Sequence, residues 1–222
     1  MIKPAETVTA LPIASIRQLE MRGFDAAVPM MQRAGTSAAR FLNQRLASPS
    51  HVVALVGPGN NGGDALVAAT ELHKLGHRLT VVMPQAAPNA STDAKQALMH
   101  WLMTGQSIVK ALPAQKPDAV IDGLFGIGLS RALESPWIEL IEAVNAWHAP
   151  LLALDIPSGI DADTGKQLGQ PIQATWTLSF IAPSLATTIK SSNHFCGECW
   201  AEDLDLGLAR DRKLDLDSGS IQ

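Results

Sequence analysis

The stretch VVALVGPGNNGGDALVAAT, residues 52–70, constrains the fold more than any other part of the chain. A β-branched apolar run ends in a polar, glycine-dense turn, and an apolar helical pattern follows. Strand, glycine turn and helix start form the local architecture that holds phosphates and nucleotides. Gly57, Gly59, Gly62 and Gly63 let the backbone come close to a ligand. Asn60, Asn61 and Asp64 add neutral and anionic oxygens at the same place. The mixture points to a nucleotide-like ligand, with room for a cation and for acid–base work.

The same turn spells Gly-x-Gly-x-x-Gly, the dinucleotide fingerprint. That fingerprint needs an acidic residue about 20 positions on, at the end of the second strand, to hold a ribose hydroxyl. The predicted second strand, residues 79–83, ends instead in Met83-Pro84. Pro58 also removes an amide donor from the turn. An ordinary NAD-dependent dehydrogenase is therefore disfavoured.

The periodicity predicts strands at 52–56, 79–83, 107–109, 119–122, 151–155 and 175–181. Between them it predicts helices at 65–75, 91–103 and 136–147. Residues 14–46 read as two helices broken near Gly35 or Pro29, residues 1–12 as a mobile lead-in, and 209–222 as a mobile tail. Residues 191–200 fit no element clearly. The whole chain reads as one domain. Strands alternating with helices predict a mostly parallel sheet covered on both faces. Ligands of such sheets bind beyond the carboxyl ends of the strands.

Three polar constellations fall at such ends: NNGGD (60–64), Asp122 with GLFGIGLSR, and Asp155 with IPSGIDADTG. Gly126 and Gly128 make the second loop permissive, so the amides of Ile127 and Leu129 can face a phosphate, with Arg131 as a charged clamp. Ser158 offers a hydroxyl and a carbonyl. Asp161 and Asp163 read as solvated turn residues with a structural or surface role. Asn61, Asp122 and Ser158 supply only oxygen donors, which suit an alkali or alkaline-earth ion rather than zinc or copper.

Net charge is −4, and no basic stripe supports nucleic-acid binding. No signal-like leader or transmembrane-length apolar run is visible, so the expected location is cytoplasmic, away from the membrane. Cys196 and Cys199 form a single late C-x-x-C, expected to be two ordinary thiols in a reducing compartment. His51, His73, His77, His100 and His148 sit at element ends or on helix faces and read as structural or solvated.

GPGNNGGD, DGLFGIGLSR and LDIPSGIDADTG, in this order and spacing, closely resemble the NAD(P)H-hydrate epimerase family of the YjeF N-terminal type. MQRAG (31–35) and TLSFIAP (177–183) extend the resemblance over about residues 14–207. It implies a three-layer α/β/α sandwich with a Rossmann-like, mostly parallel sheet. It also implies interconversion of the R and S epimers of the damaged cofactors NADHX and NADPHX, coupled to a dehydratase that repairs the S form.

By resemblance, substrate contacts fall on Asn60, Asn61, Gly62, Gly63, Asp64, Gly126, Ile127, Gly128, Leu129, Ser130, Arg131, Ala132 and Asp155. Potassium (K+) ligands fall on Asn61, Asp122 and Ser158. Asp122 and Asp155 are the candidate acid–base pair, with Asp64 third. Ala65 and Ser184 stand where the family commonly has glycine and lysine. A homodimer is one open assembly. Many bacterial relatives carry a fused dehydratase domain; this chain is expected to hold none. The alternative is a nucleotide-binding or scaffold module on the same fold. Retention of Asp64, Asp122 and Asp155 favours an enzyme.

Overall fold

The computed structural model describes residues 1–22 and 28–206. The strands are β1 (Lys3–Pro4), β2 (His51–Val56), β3 (Arg78–Val82), β4 (Ile108–Val109), β5 (Ala119–Gly123), β6 (Leu151–Leu154), β7 (Trp176–Phe180) and β8 (Glu198–Glu202). The helices are α1 (Ile13–Arg22), α2 (Met30–Asn43), α3 (Asn60–Lys74), α4 (Thr92–Met103), α5 (Ser135–Ala146) and α6 (Lys190–Cys196). The strands form one sheet in the order β1-β8-β7-β6-β5-β2-β3-β4. Every pairing is parallel except β1 with β8.

The alternation of β2 shows how the layers are built. Val52, Ala54 and Val56 face a core shared with α2, α3 and α4. Val53 and Leu55 face the other way, into a core with Trp137, Ile141 and Val144 of α5. All six residues of β2 are buried. A parallel strand covered on both faces carries such an unbroken apolar run. The result is the expected three-layer sandwich.

Chain order reverses beside β2: β3 and β4 lie on one side, β5 and β6 on the other. The loops after β2 and β5 therefore diverge at a topological switch point, where open α/β sheets bind ligands.

Several expectations change. The lead-in expected to be mobile contains β1, which pairs with β8 through Lys3↔Ala201 and Pro4↔Trp200. The N-terminal amine also meets Glu202 at 2.5 Å. The unassigned 191–200 stretch holds all of α6 but its first residue, and β8 up to Trp200. Of the two positions expected for a helix break, Pro29 caps the start of α2 and Gly35 lies buried inside it. There a Cβ would strike Val67 Cβ at 2.4 Å, so glycine lets α2 and α3 approach. Helix α3 starts at Asn60, five residues before the expected Ala65. The mobile tail expected at 209–222 lies outside the described residues. Among the described residues, no helix is long and apolar enough to cross a membrane.

Candidate active site

Strand β2 leads into α3 through Gly57, Pro58 and Gly59. No side chain caps the helix start, which leaves first-turn amides suited to an anion. The glycines of this turn divide in role. A Cβ on Gly57 would lie 1.7 Å from the Leu124 carbonyl oxygen, and one on Gly62 would lie 2.1 Å from the Gly57 oxygen. A Cβ on Gly63 would strike Met31 Sδ at 2.5 Å. Gly62 and Gly63 let the helix start pack against its own loop and α2. Gly59 has open space around its Cβ position.

Asn61 and Asp64 are buried polar residues on the first turns of α3. Neither Oδ1 nor Nδ2 of Asn61 has a hydrogen-bond partner among the described residues. Such a buried, unsatisfied amide is uncommon and asks for a ligand. Asn60 is more exposed, and its Oδ1 accepts from Ser91 Oγ at 2.7 Å.

Asp122 is the penultimate residue of β5 and has no solvent exposure. Its Oδ1 accepts from Leu124 N at 3.1 Å and Ser158 Oγ at 2.7 Å, and its Oδ2 accepts from Ser158 N at 2.8 Å. Ser158 Oγ also accepts from Phe125 N at 2.9 Å. Asp122 thus staples the loop after β5 to the loop after β6. Burial raises its pKa to about 6, opposed by these hydrogen bonds.

Asp155, just past β6, is the most unusual residue of the site. Its φ is +63°, and Ile156 N bonds across it to Leu154 O at 2.8 Å. A non-glycine residue held in such a three-residue turn is strained by about 1–3 kcal/mol and persists only where neighbours fix it. Its N–H donates to Leu178 O at 2.9 Å, and its carbonyl accepts from Ser179 Oγ at 3.0 Å. Among the described residues its carboxyl accepts only from Phe180 N, at 3.4 Å. Burial, and then the charge of Glu20, raise its pKa to about 7. Asp64 is pushed well above the usual carboxylate range by burial and by the charges of Asp155, Glu20 and Asp93.

A cavity of about 890 Å³ opens among these groups. Asn60, Asn61, Asp64, Gly126, Ile127, Gly128, Leu129, Ser130, Arg131 and Asp155 line it. Gly62, Gly63 and Ala132 do not, and neither do Asp122 and Ser158. Gly126 matters most in its loop: a Cβ there would sit 3.0 Å from Asp155 Oδ2 and 3.3 Å from Asn61 Oδ1. Glycine keeps the space between those two side chains open. A second hollow, about 760 Å³, lies at the amino ends of β6 and β7 beside Leu151 and Thr175, away from the three loops.

Sequence reasoning missed the walls supplied by other elements. Arg17 and Glu20 of α1, Met30 and Met31 of α2, and Phe180 and Ile181 after β7 also line the cavity. Ile181 repeats the strained turn of Asp155, with φ +70° and Ala182 N bonded to Phe180 O at 2.8 Å. Asp163 has a structural role, as one of the two expected for it, but across a long sequence separation rather than within its own turn. Its Oδ1 accepts from Ile13 N at 2.8 Å and so caps α1. Asp161 is the local turn residue expected, accepting from Thr164 N and Oγ1. His51 and His77 are buried and structural, bonded to Thr80 and Asn43.

Comparison with known proteins agrees with this geometry. Residues 27–186 match the family model described as YjeF-related protein N-terminus. The NAD(P)H-hydrate epimerase of Bordetella pertussis is 46% identical over 198 residues, covering 87% of each chain. The bifunctional NAD(P)H-hydrate repair enzyme Nnr of Thermofilum pendens is 30% identical over 200 residues, covering 85% of this chain and 38% of that one. The crystal structure of yeast ynu0 superposes with a TM-score of 0.72 at 21% identity, over 82% of this chain and 84% of that one, which supports the fold. This chain belongs to the YjeF-related protein N-terminus family.

Proposed function

We infer that the chain is an NAD(P)H-hydrate epimerase, an isomerase that interconverts the R and S forms of NADHX and NADPHX. Family membership and a relative of that name at 46% identity support the activity. The observation that carries the mechanism is Asp155, a carboxyl beside the cavity with one long hydrogen bond and a pKa near 7.

The hydrated ring carbon bears a hydroxyl next to a ring nitrogen. Protonated Asp155 gives its proton to the departing hydroxyl, the C–O bond breaks, and water leaves. The nitrogen lone pair forms an iminium, whose positive charge the neighbouring carboxylates offset. Water then adds from the opposite face and returns a proton to a carboxylate, Asp155 or Asp64. A general acid whose pKa lies near the working pH suits both directions. Asp122 accepts from three donors on the loops it joins and does not line the cavity, so its role in this scheme is to hold the loops, with one of its roughly four acceptor sites left for an ion.

The same proposal places potassium at Asn61, Asp122 and Ser158. The unpartnered Asn61 amide and the paired Asp122 and Ser158 oxygens fit a hard monovalent ion, with one carboxylate among neutral donors. Bound there, the ion supplies positive charge and joins the three loops. Melting curves in potassium, sodium and a bulky organic cation at equal ionic strength test it: a higher midpoint in potassium is expected, and identical midpoints reject the site.

Coupling to a dehydratase that consumes one epimer belongs to the reading. So does a cytoplasmic location, which the free thiols at Cys196 and Cys199 fit. A homodimer is the proposed assembly, and the exposed Met99, Leu102 and Met103 on one face of α4 offer it a surface. A monomer by sedimentation rejects that part. The activity itself is tested with an R/S mixture of NADHX and a purified S-specific dehydratase. Consumption of both epimers is expected; consumption of half, above the spontaneous background, overturns the reading.

A further inference from the structure

Helix α1 lies outside the 27–186 stretch matched by the family model, yet it forms a wall of the cavity. One face buries Ile16 and Leu19 in the main core. Arg17 and Glu20, one turn apart, line the cavity. The start of the helix is tied down at two points. Asp163 Oδ1 accepts from Ile13 N at 2.8 Å, and Pro183 O accepts from Leu11 N at 2.8 Å. The loop that follows Asp155 therefore also fixes α1.

Arg17 reaches over the loop after β5. Its Nη2 lies 3.7 Å from where a Cβ on Gly128 would sit, the nearest atom to that point. The loop backbone is thus open beneath a guanidinium. Arg131, at the far end of the loop, lines the same cavity, whose other charged lining groups are Glu20, Asp64, Asp93 and Asp155. A dinucleotide hydrate makes opposite demands at its two ends. Carboxylates stabilise a ring that becomes positive, but they repel a pyrophosphate. The two arginines are the lining groups able to meet it, through a planar fork that matches phosphate oxygens.

We propose that Arg17 is a specificity-determining residue that holds the substrate pyrophosphate against the Gly126–Arg131 loop, and that Asp163 is the positioning residue that keeps α1 in place for it. This rests on the epimerase reading above, because the pyrophosphate is that substrate's. The competing role for Arg17 is to offset the charge of Glu20. Among the described residues no carboxylate lies within 4 Å of its guanidinium.

The test measures epimerisation kinetics with NADHX and, separately, calorimetric binding of ADP-ribose, which keeps the pyrophosphate, and of AMP, which lacks it. Arg17→Met raises KM for NADHX and Kd for ADP-ribose about 10-fold or more, the size of a lost charge-assisted hydrogen bond. AMP binding stays unchanged, kcat stays within about twofold on the same logic, and Arg17→Lys recovers part of the loss. Asp163→Ala raises KM in the same direction with kcat retained, and adds nothing further when combined with Arg17→Met.

Unchanged ADP-ribose affinity in Arg17→Met overturns the proposal, as does an equal loss for AMP. A fall in kcat with constant KM and a shifted pH profile assigns Arg17 to Glu20 instead. Additive KM effects in the double variant remove Asp163 from the positioning role. If the wild-type chain leaves one epimer unconverted, the epimerase reading fails, and the ADP-ribose titration still decides Arg17.

Discussion

Asp122 and Asp155 sit at the ends of neighbouring parallel strands, and their local sequences are close to interchangeable: AVIDGLFG and LLALDIPSG. Burial pushes both carboxyls upward, to about 6 and about 7. Their surroundings then part. Asp122 accepts from three donors, all of them on the loops it joins. Asp155 accepts from one, at 3.4 Å, and the charge of Glu20 pushes it further up. A carboxyl whose lone pairs are committed to its own loops serves architecture. A carboxyl left with free lone pairs beside a cavity, on a strained backbone, is available for proton transfer.

The largest effect that can break this comparison is on rate. Asp155→Asn keeps the side-chain shape, and asparagine tolerates positive φ as aspartate does. It cannot donate an acidic proton. We expect kcat to fall about 100-fold or more, with the far-ultraviolet spectrum unchanged. Near-normal turnover would remove Asp155 from the chemistry.

Asp122→Asn sharpens the other half. One carboxyl oxygen becomes an NH2 group facing N–H and O–H donors, so at least one buried hydrogen bond is lost. That costs about 1–3 kcal/mol, or several degrees in melting midpoint for a chain this size. Turnover should fall less than in Asp155→Asn. An unchanged midpoint with a kcat loss as deep as that of Asp155→Asn would reverse the roles assigned here.

The sequence made this pair visible but did not separate it. Apolar runs ending in aspartate, each followed by a glycine loop, were enough to place both residues at the rim of a parallel sheet. What decides between them is partners distant in sequence: Ser158 for Asp122, Phe180 and Glu20 for Asp155. The same holds for the glycine turn. Its composition signals close approach, but only the packed structure shows that Gly62 approaches Gly57 and Gly63 approaches Met31. It also explains why α3 begins at Asn60: tertiary contacts override the weak helix propensity of Asn and Gly. Helix α1 carried no legible functional signal. Arg17 and Glu20 stand out only once they are seen to line the cavity, on a helix that Asp163 anchors against the site.

The subtlest difference is in how stability depends on pH. Asp155 in the folded chain has a pKa of about 7, above its ordinary value of 3.8. Between those values the native state holds a proton that the unfolded chain has released. Stability therefore falls as pH rises through that window, the reverse of the behaviour of a salt-bridged carboxylate. Asparagine does not titrate, so Asp155→Asn removes this contribution and, with it, the Asp155 charge that helps push Asp64 up; both changes act in the same direction, while Asp122 remains in both proteins. The midpoint of the variant minus that of the wild type should be small near pH 4, grow through pH 5 to 7, and level off near pH 8. There the variant is the more stable protein, by about 2–4 °C for each kcal/mol of linkage. An inactive but stabilised Asp155→Asn would show that the site holds its acid at a cost to the fold. Parallel melting curves from pH 4 to 8 would show that Asp155 ionises in the folded chain as it does in the unfolded one, and the contrast with Asp122 would then rest on geometry alone.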